Sequence, residues 1–460
     1  MAITDLDRRG RTRVLLICCI SLFIVGLDNT IVNVALPSIR HDLDASVSQL
    51  QWTIDAYTLV LAALLMLAGS TADRLGRVRV FQVGLAVFTI GSLACSLAPS
   101  VEWLIAFRVL QAIGGSMLNP VAMSIIRNTF EDPRERARAI GVWGAVVGIS
   151  MALGPVLGGV LVEASWRAIF LVNIPVGLAA IALTARYVPE SRAAHGRRVD
   201  PVGQALVIVL LSTLVYGIIE SAPVFYVAAA VALAALVLYE PRREEPLIEL
   251  RFFGSAPFSG ATLIAICAFA ALAGFLFMNT IYLQDVRGFS PIHAGLLTLP
   301  MAAMAVVGGP LSGRFVGTYG TRAPLVLGGL GILVSALMLT GLSPTTSIGW
   351  IVAAYVVFGI GFGVINPPIT NTAVSGMPSA QAGVAAAVAS TSRQVGQSLG
   401  VAILGATLHG ALPGSSATGW WILVAAGTVV VALGLGSTTR WARRTADATA
   451  QRLDPPMVAA

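Results

Sequence analysis

Apolar runs of about twenty residues recur along this chain from one end to the other. Each is long enough, as a helix, to cross roughly 30 Å of hydrocarbon. They fall near 13–37, 47–70, 78–98, 101–126, 137–161, 168–188, 202–221 and 223–240. Six more follow near 257–283, 294–316, 324–342, 348–369, 383–409 and 418–438. A chain with fourteen such runs folds in a membrane or not at all. Composition agrees: 11% of residues are charged, where a soluble domain carries about 25%. The short alternating segments of a membrane β-barrel are absent, so the spans are helical. The expected fold class is an all-α polytopic membrane protein.

Arginine gives an independent test of the count. Every basic side chain is Arg, and the formal net charge is +7. With the N-terminus inside, all but five of the 29 arginines fall on the cytoplasmic side. Arg40, Arg167 and Arg287 lie opposite, and Arg108 and Arg393 lie inside helices. Basic residues are retained on the cytoplasmic side, so both termini are expected there. The basic balance therefore reports topology and not nucleic-acid binding. Arg8 to Arg13 before an apolar run resembles a secretory signal. That run carries Asp28 and Asn29 and continues to Pro37 without a small-residue cleavage site, and it reads as an uncleaved first helix.

Charged stretches at 186–200 and 240–251 divide the runs into six, two and six. The expected layout is an N-terminal six-helix bundle over 1–188 and a linker with two extra helices over 189–251. A C-terminal six-helix bundle over 252–440 and a cytoplasmic tail over 441–460 complete it. Two six-helix halves match the repeat architecture of secondary transporters. No Gly-x4-Gly-Lys-Ser/Thr loop is present, which argues against direct ATP coupling in this chain. No Ser/His/Asp or metal-ligand cluster presents itself, so no enzyme, metal or cofactor is expected. The four cysteines all lie in apolar runs and read as buried thiols.

Charges inside the spans are the candidate chemistry. Asp28 sits midway along the first run, in Leu27-Asp28-Asn29-Thr30-Ile31-Val32-Asn33-Val34-Ala35-Leu36-Pro37. An acid there costs roughly 2.5–3.5 kcal/mol on insertion scales and marks a functional site by default. It is a candidate proton carrier and substrate contact; the alternative is a structural acid that fixes helix contacts. Asp55 lies about two turns into the second run, shallower than Asp28. It is a second proton site, an attractor for cationic substrate, or a partly hydrated acid of the outer vestibule. Asn33 and Tyr57 are grouped with these acids as substrate contacts. Arg108 is the lone charge of the fourth run and needs a carboxylate, carbonyl or water. Pairing with Asp28 would hold that carboxylate charged and separation would favour its protonation, a switch a transporter can use. A purely structural ion pair is the rival. Arg393, in the thirteenth run, finds no acid in the last four helices. It lines the pore, binds an anionic group, or pairs with an acid from elsewhere.

Three stretches bear on movement. Gly69-Ser70-Thr71-Ala72-Asp73-Arg74-Leu75-Gly76-Arg77-Val78-Arg79 joins the second and third helices. It reads as a conformational latch, with Gly69 permitting close helix approach and Asp73 able to accept hydrogen bonds or to meet a helix N-terminus; a plain charged turn is the alternative. Gly154-Pro155-Val156-Leu157-Gly158-Gly159 combines close-packing glycines with a Pro that removes a backbone donor. Trp166 to Pro175 reads as an interfacial anchor at the outer end of the sixth helix.

The run from Gly69 to Arg79 resembles the loop signature of the major facilitator superfamily. Arg108 with Gln111 and Gly114 resembles that superfamily's fourth-helix motif, and Gly154 to Gly159 its antiporter motif. The Asp28 stretch, and Tyr282-Leu283-Gln284 through Ser290-Pro291, are similar to the fourteen-helix drug:proton antiporters. The resemblance covers essentially the whole chain. It implies a major facilitator fold, proton-driven export by alternating access and a small-molecule substrate, often cationic and lipophilic. Monomeric action in the lipid bilayer of a bacterial cytoplasmic membrane is also implied. By position, Asp28 and Arg108 become the proton-coupling pair, with Asp73, Arg74, Gly76 and Arg77 as the latch. Ser150 stands where the antiporter motif usually has Gly, and the second latch near Gly313-Arg314 lacks the Asp of the first. Additional acids, which some relatives use for dications, are missing from the C-terminal helices. Export of a specific metabolite, and a non-transporting membrane sensor, are the competing readings.

Overall fold

The computed structural model describes residues 7–192, 200–243, 245–378, 381–408 and 417–453. Arg197 and Arg198, counted above on the cytoplasmic side, lie outside the described residues. The described chain is helical throughout. The order is α1 (Arg8–Leu43), α2 (Val47–Leu75), α3 (Arg77–Ser96), α4 (Val101–Thr129), α5 (Pro133–Ala164), α6 (Ala168–Leu171), α7 (Asn173–Tyr187), α8 (Pro201–Ile219) and α9 (Val224–Tyr239). Then come α10 (Ala256–Ile281), α11 (Pro291–Tyr319), α12 (Arg322–Leu339), α13 (Ile348–Val374), α14 (Ala382–Ala406), α15 (Ala417–Gly436) and α16 (Arg440–Leu453).

Among the described residues, 13 helical spans are long and apolar enough to cross a membrane, with α6 and α7 forming one of them. The 25-residue α14 is long enough as well. Its polar run from Ser390 to Ser398 lowers its mean hydropathy. Many apolar side chains face outward, such as Val227, Val231, Leu233 and Val237 on α9. In water such a face would be a liability; against lipid it is at equilibrium.

Local signals set the helix ends. Ser46 and Gln49 form a reciprocal capping box at the start of α2, which satisfies two otherwise unpaired amides. The Asp132 carboxylate accepts from the amides of Arg134 and Glu135 at the start of α5. Two expectations change. The sixth helix is broken at Val172 into α6 and α7, which turns Asn173 inward. The first part of the expected tail is the helix α16. Its Ala442, Ala446 and Thr449 are buried, and its Thr445 hydroxyl accepts from the amide of Ala256 at 2.9 Å.

The chain forms two compact units. The first comprises residues 1–212 with 280–299, the second 213–279 with 300–460. In the first, Phe81, Phe88, Leu118, Ile125 and Ile126 are part of one buried cluster. Glycine lets its helices touch backbone to backbone. A Cβ at Gly91 of α3 would stand 2.6 Å from Gln111 Cα of α4. In the second unit, Phe275 stacks on Phe358 at 4.4 Å between ring centres and meets Tyr355 and Trp420 edge-on. The Ser335 hydroxyl donates to the carbonyl of Ala354 at 2.7 Å, joining α12 to α13.

This packing separates two kinds of glycine. Gly91→Ala is expected to lower the unfolding temperature in detergent by a few degrees, since overpacking costs about 1–3 kcal/mol. Gly141→Ala, with nothing within 4 Å of the new methyl, is expected to hold or raise it. Scanning fluorimetry of the two variants checks the contrast.

Candidate functional site

Three helices, α3, α4 and α7, place polar side chains around Asp28 of α1, and α2 completes the setting of its arginine. On α4, Arg108 and Gln111 are three residues apart and so share a face. The Arg108 guanidinium donates to Asp28 Oδ2 at 2.5 Å and to Gln111 Oε1 at 2.7 Å. Its Nε donates to the carbonyl of Thr53 on α2 at 3.1 Å. One turn further along α2, the Tyr57 ring lies 4.0 Å from the guanidinium carbon, a cation–π contact. Gln111 donates to Asp28 Oδ1 at 2.9 Å, and Asn173 of α7 donates to the same oxygen at 3.2 Å. Ser92 of α3 accepts from Gln111 and Asn173 at 3.2 and 3.0 Å. Its own hydroxyl donates to the carbonyl of Phe170 at 3.0 Å. Asp28 and Gln111 are fully buried, and Arg108 is 1% exposed.

The arrangement neutralises a carboxylate with one permanent cation and two neutral donors. Such a pair holds together only when the remaining lone pairs and protons are also met, because desolvation opposes it. Here Gln111 is the hinge of the network, since it accepts from Arg108 and donates to Asp28. The expected Asp28–Arg108 pairing is present. Sequence reasoning does not find Asn173 as a partner of Asp28, nor Ser92 as the hydroxyl that accepts from Asn173 and Gln111 behind it. At the start of the Trp166–Pro175 stretch, Trp166 Nε1 and the Arg167 guanidinium both donate to Asp42 Oδ2 at 2.7 Å. The other end of the stretch supplies Asn173 to the ion-pair site.

The antiporter-type glycines bear directly on α1. A Cβ at Gly154 would collide with the Thr30 side chain, and one at Gly158 would lie 3.0 Å from the Ile31 carbonyl. These small residues therefore let α5 lie against the stretch of α1 that follows Asp28. Ser150, in place of a glycine, puts its hydroxyl against Gly26, so the missing space is returned on α1. Gly159 faces the backbone of Pro291 and Ile292, where a Cβ would lie 2.7 Å from each. Pro155's carbonyl faces Gly295.

Asp55 stands apart from this cluster. It is two residues from Thr53 and from Tyr57, which turns it to another face of α2. It is fully buried, which overturns its reading as a hydrated vestibule acid, and it accepts from the Thr58 hydroxyl at 3.3 Å. Asn33 is also buried; its amide donates back to the carbonyls of Asn29 and Thr30 at 3.4 Å. Arg393 lies on α14 in the second unit, whereas Asp28 and Asp55 belong to the first.

At the latch, Asp73 accepts from Arg77 at 2.7 and 3.1 Å, one turn along the chain. Gly76 takes φ +112° between α2 and α3, where a side chain would be strained. The partner of the α3 N-terminus is Glu190, not Asp73. Its carboxylate accepts from the amides of Val78 and Arg79 at 3.0 and 3.2 Å, and the Ser191 carbonyl accepts from the Arg77 amide at 2.9 Å. An anion at that end is favoured by the helix dipole. Arg74 is exposed. Gly69 is not a point of close approach: a Cβ there would meet Pro120 at an ordinary 3.9 Å.

Removing Arg108 alone strands the Asp28 charge. Arg108→Gln is expected to cost about 3–5 kcal/mol of stability. The double variant Asp28→Asn with Arg108→Gln is expected to cost clearly less than the sum of the two single changes. Unfolding midpoints of the four proteins check the coupling.

The geometry can be set beside known proteins. The major facilitator superfamily profile matches residues 18–401. The multidrug resistance protein Stp of Mycobacterium tuberculosis is 36% identical over 399 residues, covering 85% of this chain and 74% of that protein. The tetracenomycin C resistance and export protein of Streptomyces glaucescens is 38% identical over 410 residues, covering 86% and 76%. A bacterial homolog of the human lysosomal transporter Spinster, solved in an inward-facing and occupied conformation, shares the fold with TM-score 0.69 at 20% identity, over 96% of this chain and 98% of that one. On the strength of the profile, the relatives and the shared fold, this chain belongs to the major facilitator superfamily and is a polytopic membrane transporter rather than an enzyme.

Proposed function

We propose that this chain is a fourteen-helix drug:proton antiporter that expels lipophilic drugs or antibiotics from the bacterial cytoplasm in exchange for inward protons. The observation that carries the reading is the buried Asp28–Arg108 pair, held at 2.5 Å with Gln111 and Asn173 on the same carboxylate. The names of the two relatives, one for multidrug resistance and one for tetracenomycin C resistance and export, support a drug cargo. The helix α14 supports the count, since it joins 13 apolar spans as a further helix of sufficient length.

A proton arriving from outside adds to an Asp28 oxygen and cancels its charge. Arg108 then loses its counter-ion but keeps Gln111 Oε1, the Thr53 carbonyl and the Tyr57 ring. The attraction that holds α1 to α4 falls, and the site opens to the other side of the membrane. Loss of the proton to the cytoplasm restores the pair and resets the cycle. Asp55 serves as a second protonation site, and Asn33, Tyr57 and Arg393 as contacts for the cargo. The latch of Asp73, Arg74, Gly76 and Arg77, joined by Glu190, steadies one state. The Gly154–Gly159 run of α5 favours the export direction by keeping α5 against α1. The protein works as a monomer in the lipid bilayer, with both termini cytoplasmic.

Transport in inverted membrane vesicles tests this. With ethidium and a panel of neutral antibiotics, wild type is expected to move at least one compound when a pH gradient is imposed. Asp28→Asn and Arg108→Ala are each expected to reduce that flux to the level of vesicles without the protein. Flux that survives Asp28→Asn, or persists undiminished once the gradient is collapsed, overturns the coupling reading.

A further inference from the structure

Arg393 is a permanent cation that makes no ion pair among the described residues. It sits about 17 Å along α14 from the helix start, at 1.5 Å per residue, which is the middle of a span. Between residues 286 and 446 the sequence contains no Asp or Glu. A guanidinium does not lose its proton to escape the cost of burial, so it must be met by something else.

What meets it is incomplete. One amino group donates to the Thr370 hydroxyl of α13, and the other reaches Ser390, one turn back, at a marginal 3.5 Å. The guanidinium carbon lies 5.8 Å from the centre of the Phe269 ring of α10. Its buried Nε–H has no acceptor among the described residues. Nearby on α14, Thr391, Gln394 and Ser398 each hold a buried side-chain oxygen without a hydrogen-bond partner among the described residues. Their spacing of three and four puts these three on one face of the helix. Buried polar groups left unmet cost free energy, and although Thr391 and Ser398 lie on another face of α14 from Arg393, a guanidinium in mid-span with an unmet donor and no ion pair among the described residues is the mark of a site that a ligand completes. From Phe269, an aromatic ladder continues through Phe362, edge-on at 5.1 Å, to Phe358, stacked at 6.4 Å.

Arg108 offers the contrast. Its charge is balanced by a carboxylate within its own unit, and that carboxylate is in turn saturated by Arg108, Gln111 and Asn173. Asp28 therefore has little negative charge to offer a cationic cargo, while Arg393 has positive charge to offer an anionic one. A guanidinium with an unmet donor binds carboxylates and related oxyanions through charge-assisted hydrogen bonds, and the Phe269 ring beside it makes the surroundings apolar.

We propose that α10, α13 and α14 form an anion-recognition site at Arg393, which selects cargo carrying one ionised acidic group, a carboxylate or an acidic phenolate or enolate, on an aromatic or otherwise apolar body. The proposal rests on the transporter reading for its consequence, export of acidic amphiphiles, but its geometry and its test do not depend on transport. Arg393 is a specificity residue on this reading, and proton coupling at Asp28 does not pass through it.

Binding of 1-pyrenebutyrate and of its uncharged methyl ester to the full-length protein in nanodiscs tests it, read by energy transfer from tryptophan to pyrene. Wild type is expected to bind the anion at least about tenfold more tightly than the ester, the scale of a charge-assisted contact. Arg393→Gln is expected to remove that preference by weakening the anion alone, and Arg393→Lys, which keeps the charge, to retain part of it. Unchanged unfolding temperatures and elution profiles confirm that the variants are folded. Absence of a preference in wild type overturns the proposal, with no variant needed. So does a preference that survives in folded Arg393→Gln. If vesicles show no flux of any compound, the efflux reading fails, yet the binding comparison still decides the anion site. If flux of neutral cargo is normal and the anion preference is missing, only the anion site fails.

Discussion

A buried carboxylate held by a buried guanidinium is the constraint around which the first unit is built. Neither charge is tolerable alone in a medium of low dielectric, and neither partner reaches the other unless α1 and α4 are brought close. That proximity depends on residues that carry no charge. Gly91 lets α3 touch α4 at Gln111, and Gly154 and Gly158 let α5 press against α1 beyond Asp28. The break at Val172 turns α7 so that Asn173 adds a second amide to the carboxylate. Small residues and a helix break thus do for this ion pair what a second layer of polar groups does for a metal ion: they fix direction before they add energy.

The two intramembrane arginines illustrate how context decides the use of one side chain. Arg108 is wrapped by a carboxylate, an amide, a carbonyl and a tyrosine ring, and its charge is spent inside the protein. Arg393 meets a hydroxyl, a distant serine and a phenylalanine face, and its charge remains available. The first arrangement responds to a proton, because adding one proton removes a counter-ion. The second responds to a counter-ion, because none is built in. A transporter needs both kinds of group, one that senses the driving ion and one that discriminates cargo, and separating them keeps the two chemistries from competing for one side chain.

The α2–α3 junction shows a similar division. Gly76 supplies the positive φ that lets the chain reverse, and Asp73 stabilises Arg77 one turn on. The contact that reaches furthest along the chain belongs to Glu190, whose two oxygens accept from the first amides of α3. A helix N-terminus is a fixed positive end, so the carboxylate ties the segment after α7 to α3 through backbone groups. Because it uses amides, this tie leaves no trace in the side chains of the loop.

The periodicity and length of the apolar runs, the arginine bias and the isolated charges in otherwise apolar stretches were enough to establish a polytopic helical protein and to single out Asp28, Arg108 and Arg393. Those signals are readable because a charge in hydrocarbon stands out against its neighbours whatever the fold. The motifs around Gly69, Arg108 and Gly154 pointed to the major facilitator superfamily for the same reason, being local in sequence. What the sequence left open was which groups meet. Ser92 and Asn173 look like ordinary small polar residues until α3 and α7 carry them to Asp28, and Glu190 looks like one acid of a charged linker until it sits on the end of α3. The burial of Asp55 on a different face from Tyr57, the room beside Gly69 and the docking of α16 on the stretch before α10 are likewise matters of packing. Contacts between residues 80 or more positions apart depend on how helices cross. That is set by the sum of many side-chain shapes, and only the tertiary structure performs the sum.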